Sequence, residues 1–134
     1  MQYAFLIYTE AGLSANMSPD YAAKAINNNW DVMEEATSRG ALVGVNRLQS
    51  TTQSVTARRP DGSVSFVDGP FAETKEVLGG FYLIDCKDDN EARYWADRLI
   101  RTGCSTAVEF RPVAELPERI EVRQDHTETV FSNA

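Results

Sequence analysis

The chain has 134 residues, with 13 Lys and Arg against 20 Asp and Glu, a formal charge of −7 and 43% hydrophobic residues. That composition is one domain of ordinary soluble type, long enough to bury about two-thirds of its unfolded surface. The acidic balance excludes a nucleic-acid surface, Arg58-Arg59 being the only adjacent basic pair, and no apolar run approaches the ~20 residues of a membrane span.

Residues 1 to 9 alternate, with Tyr3, Phe5 and Ile7 on one side and Ala4, Leu6 and Tyr8 on the other. Both sides are largely apolar, which predicts a central strand covered on both faces. The same residues carry neither a basic segment nor a small-residue cleavage site, so no signal peptide is expected and a cytoplasmic location is. A turn is expected over Glu10 to Met17. Ser18 then reads as an N-cap, with Pro19 at the first helical position and Asp20 beside the positive end of the dipole. Ala22, Ala23, Ile26, Trp30, Met33 and Thr37 follow at the spacing of one helical face, which puts Trp30 in the core, and Gly40 sits where a C-terminal cap belongs.

Ala41 to Leu48 reads as a strand, with Gly44 marking a bulge or a close backbone approach. A polar, peripheral hairpin is expected from Ser54–Arg58 and Ser63–Val67 around Arg59-Pro60-Asp61-Gly62. Phe81 to Cys86 is a short apolar strand, with Gly79-Gly80 as the re-entry to it. Asp88 and Glu91 resemble a capping box at the start of a second helix, whose face is Ala92, Trp95, Ala96, Leu99 and Ile100 and which Gly103 ends. Ala107 to Val113 is the last strand, stopped near Pro112. Residues 114–134 form an acidic tail in which Ile120, Val122, Val130 and Phe131 are the groups able to dock on a partner or on the other subunit of a dimer. The two cysteines, Cys86 and Cys104, are too few and too far apart for a disulfide framework or a zinc site, so reduced thiols are expected and no metal or other cofactor is called for.

Without the hairpin the order is βαββαβ, which predicts an α+β, ferredoxin-like fold with both helices on one face of an antiparallel sheet. The other face carries apolar residues and needs a cover. A second copy of the chain supplies it in a C2 homodimer.

Between the hairpin and the Phe81 strand lies Asp68-Gly69-Pro70-Phe71-Ala72-Glu73-Thr74-Lys75-Glu76. Proline has no backbone donor and biases its predecessor away from helix, so the loop is shaped while it clusters charge. Asp68 is either an acid/base with Lys75 as its electrostatic partner or an Asx-type cap on the N–H groups of residues 70 to 72. Phe71 is either a wall that stacks on a flat ligand or a plug that anchors the loop to the core or to the other subunit. Pro70, Glu73 and Tyr82 complete the candidate ligand site, with Tyr8 and Arg47 at its rim.

This loop, the following Leu78-Gly79-Gly80-Phe81-Tyr82-Leu83-Ile84-Asp85, the opening Tyr3-Ala4-Phe5-Leu6-Ile7-Tyr8 and the closing Val108-Glu109-Phe110-Arg111-Pro112-Val113 resemble the DGPF branch of the YCII-related family over residues 1–113. The resemblance implies a dimeric α+β barrel with a pocket near the motif, and a wider likeness to small dimeric enzymes that act on aromatic or chlorinated lactones. It implies no settled activity. Shorter members are credited with a His and Asp pair, but the only histidine here, His126, lies in the tail, so that dyad is absent. Domains of this type also stand beside extracytoplasmic-function sigma factors. Two readings therefore stay open: a lyase, hydrolase or isomerase that acts on an unknown small molecule through Asp68, or a non-catalytic regulatory module, a sigma factor being one associate.

Overall fold

The computed structural model describes residues 1–122. Four strands, β1 (Gln2–Glu10), β2 (Leu42–Arg47), β5 (Glu76–Asp85) and β6 (Ala107–Pro112), form an antiparallel sheet in the order β2-β5-β1-β6. Two further strands, β3 (Val55–Arg58) and β4 (Ser65–Asp68), pair only with each other as a separate ribbon. The short α1 (Leu13–Asn16) stands where a turn was expected, followed by α2 (Pro19–Ser38) and, after β5, α3 (Asp89–Ile100). Omitting α1 and the ribbon leaves βαββαβ with ferredoxin-like strand order.

Local chemistry sets the helix ends. The Ser18 side chain accepts the Tyr21 N–H at 3.2 Å, and Gly40, at φ 69, follows the C-cap. Asp88 accepts the Glu91 N–H at 2.9 Å, while the Glu91 carboxylate accepts the Lys87 N–H at 3.3 Å, one residue earlier than a standard capping box reaches.

Both helices cover the face of Tyr3, Phe5, Tyr82 and Ile84, where Val32, Ala36, Ala92, Trp95 and Leu99 complete the core. Trp95 is fully buried, as its place on the α3 face predicts. Trp30 is not a core residue: it is 57% exposed, and Ile26 is exposed beside it. The buried face of α2 is Ala25, Val32 and Ala36, rotated from the expected one. Asn29 explains the rotation. Its Oδ1 accepts the Tyr82 hydroxyl at 2.7 Å and its Nδ2 donates to the Ala25 carbonyl at 2.9 Å, so a polar residue sits satisfied on the inner side and Trp30 turns outward. Between the helices, Glu35 accepts from Arg98 at 2.9 Å, from Arg39 at 3.0 Å and from the Tyr94 hydroxyl. Burial pushes the Glu35 carboxyl up, but its bonds to Tyr94 and Arg98 and the charge of Arg39 outweigh burial and hold it below the usual range.

The two glycines before Phe81 lie inside β5 rather than ahead of it. Gly79 is an extra residue, since Ile7 pairs with Gly80 and Tyr8 with Leu78. At Gly80 a Cβ would stand 2.7 Å from the Asn46 carbonyl oxygen, so β2 reaches its place only against a residue with no side chain. The register also shifts between Leu42 and Gly44, where a Cβ on Gly44 would meet nothing closer than Leu83 at 3.9 Å. The extra residue is Val43, so the bulge lies just before Gly44, and Gly80 is the close approach. Gly80→Ala should lower stability by about 1–3 kcal/mol through overpacking, while Gly44→Ala stays near neutral. Urea midpoints that fall equally for both would contradict this packing.

Candidate functional site

β1 and β2 leave the sheet, and β5 and β6 enter it, at one common end: Tyr8 pairs with Leu78 and Ala107, and Arg47 pairs with Gly80. The segment after Asp68 leads from the ribbon to this end. Gly69 takes φ 101, a conformation glycine accepts without strain, and its N–H donates to the Ser54 carbonyl at 2.7 Å. Thr56 Oγ1 donates to the Gly69 carbonyl at 2.8 Å, and the Arg58 guanidinium donates to the Phe71 carbonyl at 2.8 Å. Farther on, the Ala11 N–H donates to the Lys75 carbonyl at 2.7 Å and the Thr106 hydroxyl to the Glu76 carboxylate at 2.9 Å. The backbone of the loop is thus tied at both ends, to β3 and to the sheet.

The side chains of Asp68, Phe71, Glu73 and Lys75 are not tied. Asp68 is the last residue of β4, and its exposed carboxylate makes no hydrogen bond or ion pair among the described residues. Neither the expected cap on residues 70 to 72 nor a pair with Lys75 forms. Pro70 is half-buried, and Glu73 and Lys75 are exposed. Phe71 is 76% exposed and so does not plug the core of its own chain.

The other expected members are dispersed. Tyr8 shares the helix-free sheet face with Leu6, Phe81 and Leu83, whereas Arg47 lies in the row of Gly80 and Ile7 on the helix side, so the two do not form one rim. Side chains on successive strand residues point to opposite faces, and Tyr8 follows Ile7. Tyr82 is no pocket wall: it is buried under α2, and burial pushes its hydroxyl up to about 12. Two surface grooves lie away from the loop, one of about 430 Å3 beside Arg39, Lys87 and Tyr94, the other of about 500 Å3 beside Trp30, Met33 and Val45. His126, Val130 and Phe131 lie outside the described residues.

With the fold and the loop defined, comparison with known proteins places them. A model of the YCII-related domain matches residues 1–117. The chain belongs to the YCII-related family. An uncharacterized protein of Rhizobium meliloti (strain 1021) is 38% identical over 115 residues, which cover 85% of this chain and 93% of that protein. Among solved structures, the 5-chloro-2-hydroxyhydroquinone dehydrochlorinase of Burkholderia phenoliruptrix AC1100, in complex with 2,5-dihydroxybenzoquinone, is similar at 12% identity and a TM-score of 0.46, over 85% of this chain and 94% of that one. Likeness of that degree assigns neither a ligand nor a reaction.

Three residues that hold the loop of this YCII-related chain were not singled out from sequence: Thr56, Arg58 and Thr106. Thr56 and Arg58 were legible as polar residues two apart in a strand, and so on one side of it. Thr106 gave no such signal. Tyr82 has a separate consequence. Its proton is held more tightly folded than unfolded, so it contributes stability below pH 10 that is lost as pH rises toward about 12. Between those limits Tyr82→Phe should flatten the fall of unfolding free energy with pH, by up to roughly 1.4 kcal/mol per pH unit. Parallel pH profiles for the two proteins in urea titrations would contradict the assignment.

Proposed function

We propose that this YCII-related protein is a homodimer that holds a small polar molecule beside the Asp68–Glu76 loop and transfers a proton to or from it through Asp68. One observation carries the reading: the loop's backbone is locked by hydrogen bonds at 2.7–2.8 Å, while the side chains of Asp68, Phe71, Glu73 and Lys75 are exposed. A rigid loop with free functional groups is preorganised to present them. The Asp68 carboxylate takes a proton from a ligand hydroxyl, amine or activated C–H and returns it to a leaving or rearranging group, which is the chemistry of a lyase, hydrolase or isomerase. Lys75 supplies a cation for an anionic part of the ligand, Pro70 and Phe71 an apolar wall, and Tyr8 a hydroxyl on the same open side of the sheet. Arg47 and Tyr82, which face the helices, take no part.

The dimer follows from the helix-free sheet face. Leu6, Tyr8, Phe81 and Leu83 line it, and both helices pack on the other side. A second reading, a non-catalytic module that docks on another protein, is favoured by the exposure of Phe66 and Phe71, at 73% and 76%.

A thermal-shift screen of small carboxylic acids, phenols and amines separates the two. One chemical class should raise the melting temperature of the native chain by several degrees. Asp68→Asn should abolish that rise, and any turnover of the same compound, without changing the melting temperature of the free protein. An undiminished response in Asp68→Asn removes the acid/base role.

A further inference from the structure

We infer that the β3–β4 ribbon is an intersubunit arm, which lays its Val55–Ala57–Phe66 side on the helix-free sheet face of a second copy and so places Asp68 in a site built by both copies. The inference rests on the homodimer reading above and goes beyond it by naming the contact and the residue the contact carries.

The ribbon's register supplies the first step. Val55 pairs with Asp68, Thr56 with Val67, Ala57 with Phe66 and Arg58 with Ser65. Directly paired residues share a side and successive pairs alternate, so one side carries Val55, Ala57, Phe66 and Asp68, and the other Thr56, Arg58, Ser65 and Val67. The second side already works within its own chain, since Thr56 and Arg58 bind the carbonyls of Gly69 and Phe71. The first side makes no comparable side-chain contact among the described residues. Val55 is 60% and Phe66 73% exposed, with Val64 beside them at 61%.

A two-stranded ribbon with an open apolar side is at best marginally stable in water and needs a surface to pack on. β3 and β4 pack chiefly on each other rather than on the main sheet. The chain itself displays the matching surface, the half-buried apolar residues Leu6, Tyr8, Phe81 and Leu83 on the sheet face opposite α2 and α3, flanked on β6 by Glu109 and Arg111. Two such surfaces on one chain, an arm and an apolar sheet face, are self-complementary. A two-fold arrangement buries both on each copy at once, whereas a foreign partner on one would leave the other open. Asp68 ends β4 on the docking side, so the arm carries its carboxylate to the boundary between the copies. Neither of the two surface grooves is lined by Asp68, as expected of a site that a single chain leaves incomplete.

Sedimentation velocity across a dilution series tests the arm, because Phe66 and Val67 are both well exposed at adjacent positions on opposite sides of it. Phe66→Ser should weaken the dimer roughly tenfold or more, while Val67→Ser leaves it unchanged. Hydrogen exchange should show the amides of residues 55–58 and 65–68 protected in the dimer and exposed after dilution to monomer. A native chain that sediments as a monomer at micromolar concentration would overturn the homodimer and the arm together. A native dimer weakened equally by both variants, or by neither, or ribbon amides protected equally in the monomer, would overturn the arm alone.

Discussion

The close contact between β2 and β5 decides where the rest of the molecule goes. The Asn46 carbonyl occupies the space that a side chain on residue 80 would need, so the two strands pair there only across a glycine. That contact brings Val45 opposite Tyr82 and Leu42 opposite Ile84. Tyr82 can then reach Asn29, and α2 is held in the rotation that buries Val32 and Ala36. Past the strand, the Leu48 N–H still bonds to the Gly79 carbonyl at 2.9 Å, so β2 releases the chain beside β5. From that point it runs into the ribbon and returns through the loop. A wider spacing would disturb the helix packing and the placement of the loop together.

The loop divides its work between backbone and side chains. The Ser54 carbonyl just ahead of β3 and the Thr56 and Arg58 side chains on it satisfy N–H and carbonyl groups that a proline-containing bend cannot pair within itself. Order therefore comes from neighbours, and the acidic, basic and aromatic groups of the bend stay available. The YCII-related family match shows that this arrangement sits in a domain type found in other proteins. What the free groups act on is a matter of the proposed dimer and its ligand.

Much of the fold was legible because its signals are local. Ser18-Pro19, Gly40 and Asp88 mark helix ends through hydrogen bonds within a turn, and strand alternation separates Tyr3 and Phe5 from Ala4 and Leu6. The face of α2 was not legible, because the reason an asparagine points inward is a hydroxyl 53 residues away. Apolar spacing alone favoured Trp30. The loop was recognisable as a bend from Gly69-Pro70, but Asp68's lack of a partner is a matter of three-dimensional placement. Tyr8 and Arg47 looked alike as strand-end residues, but Tyr8 alternates with Ile7 while the extra residue Val43 in β2 puts Arg47 on the helix side.

The two indoles occupy opposite environments, Trp95 at 0% exposure and Trp30 at 57%. The intrinsic fluorescence of the native chain is therefore a superposition of a blue, shielded emitter in the core and a red, collisionally accessible one at the surface. Acrylamide should remove the red component first. The remaining light then reports on the helix–sheet core alone, so the protein carries its own optical means of telling surface events from global unfolding.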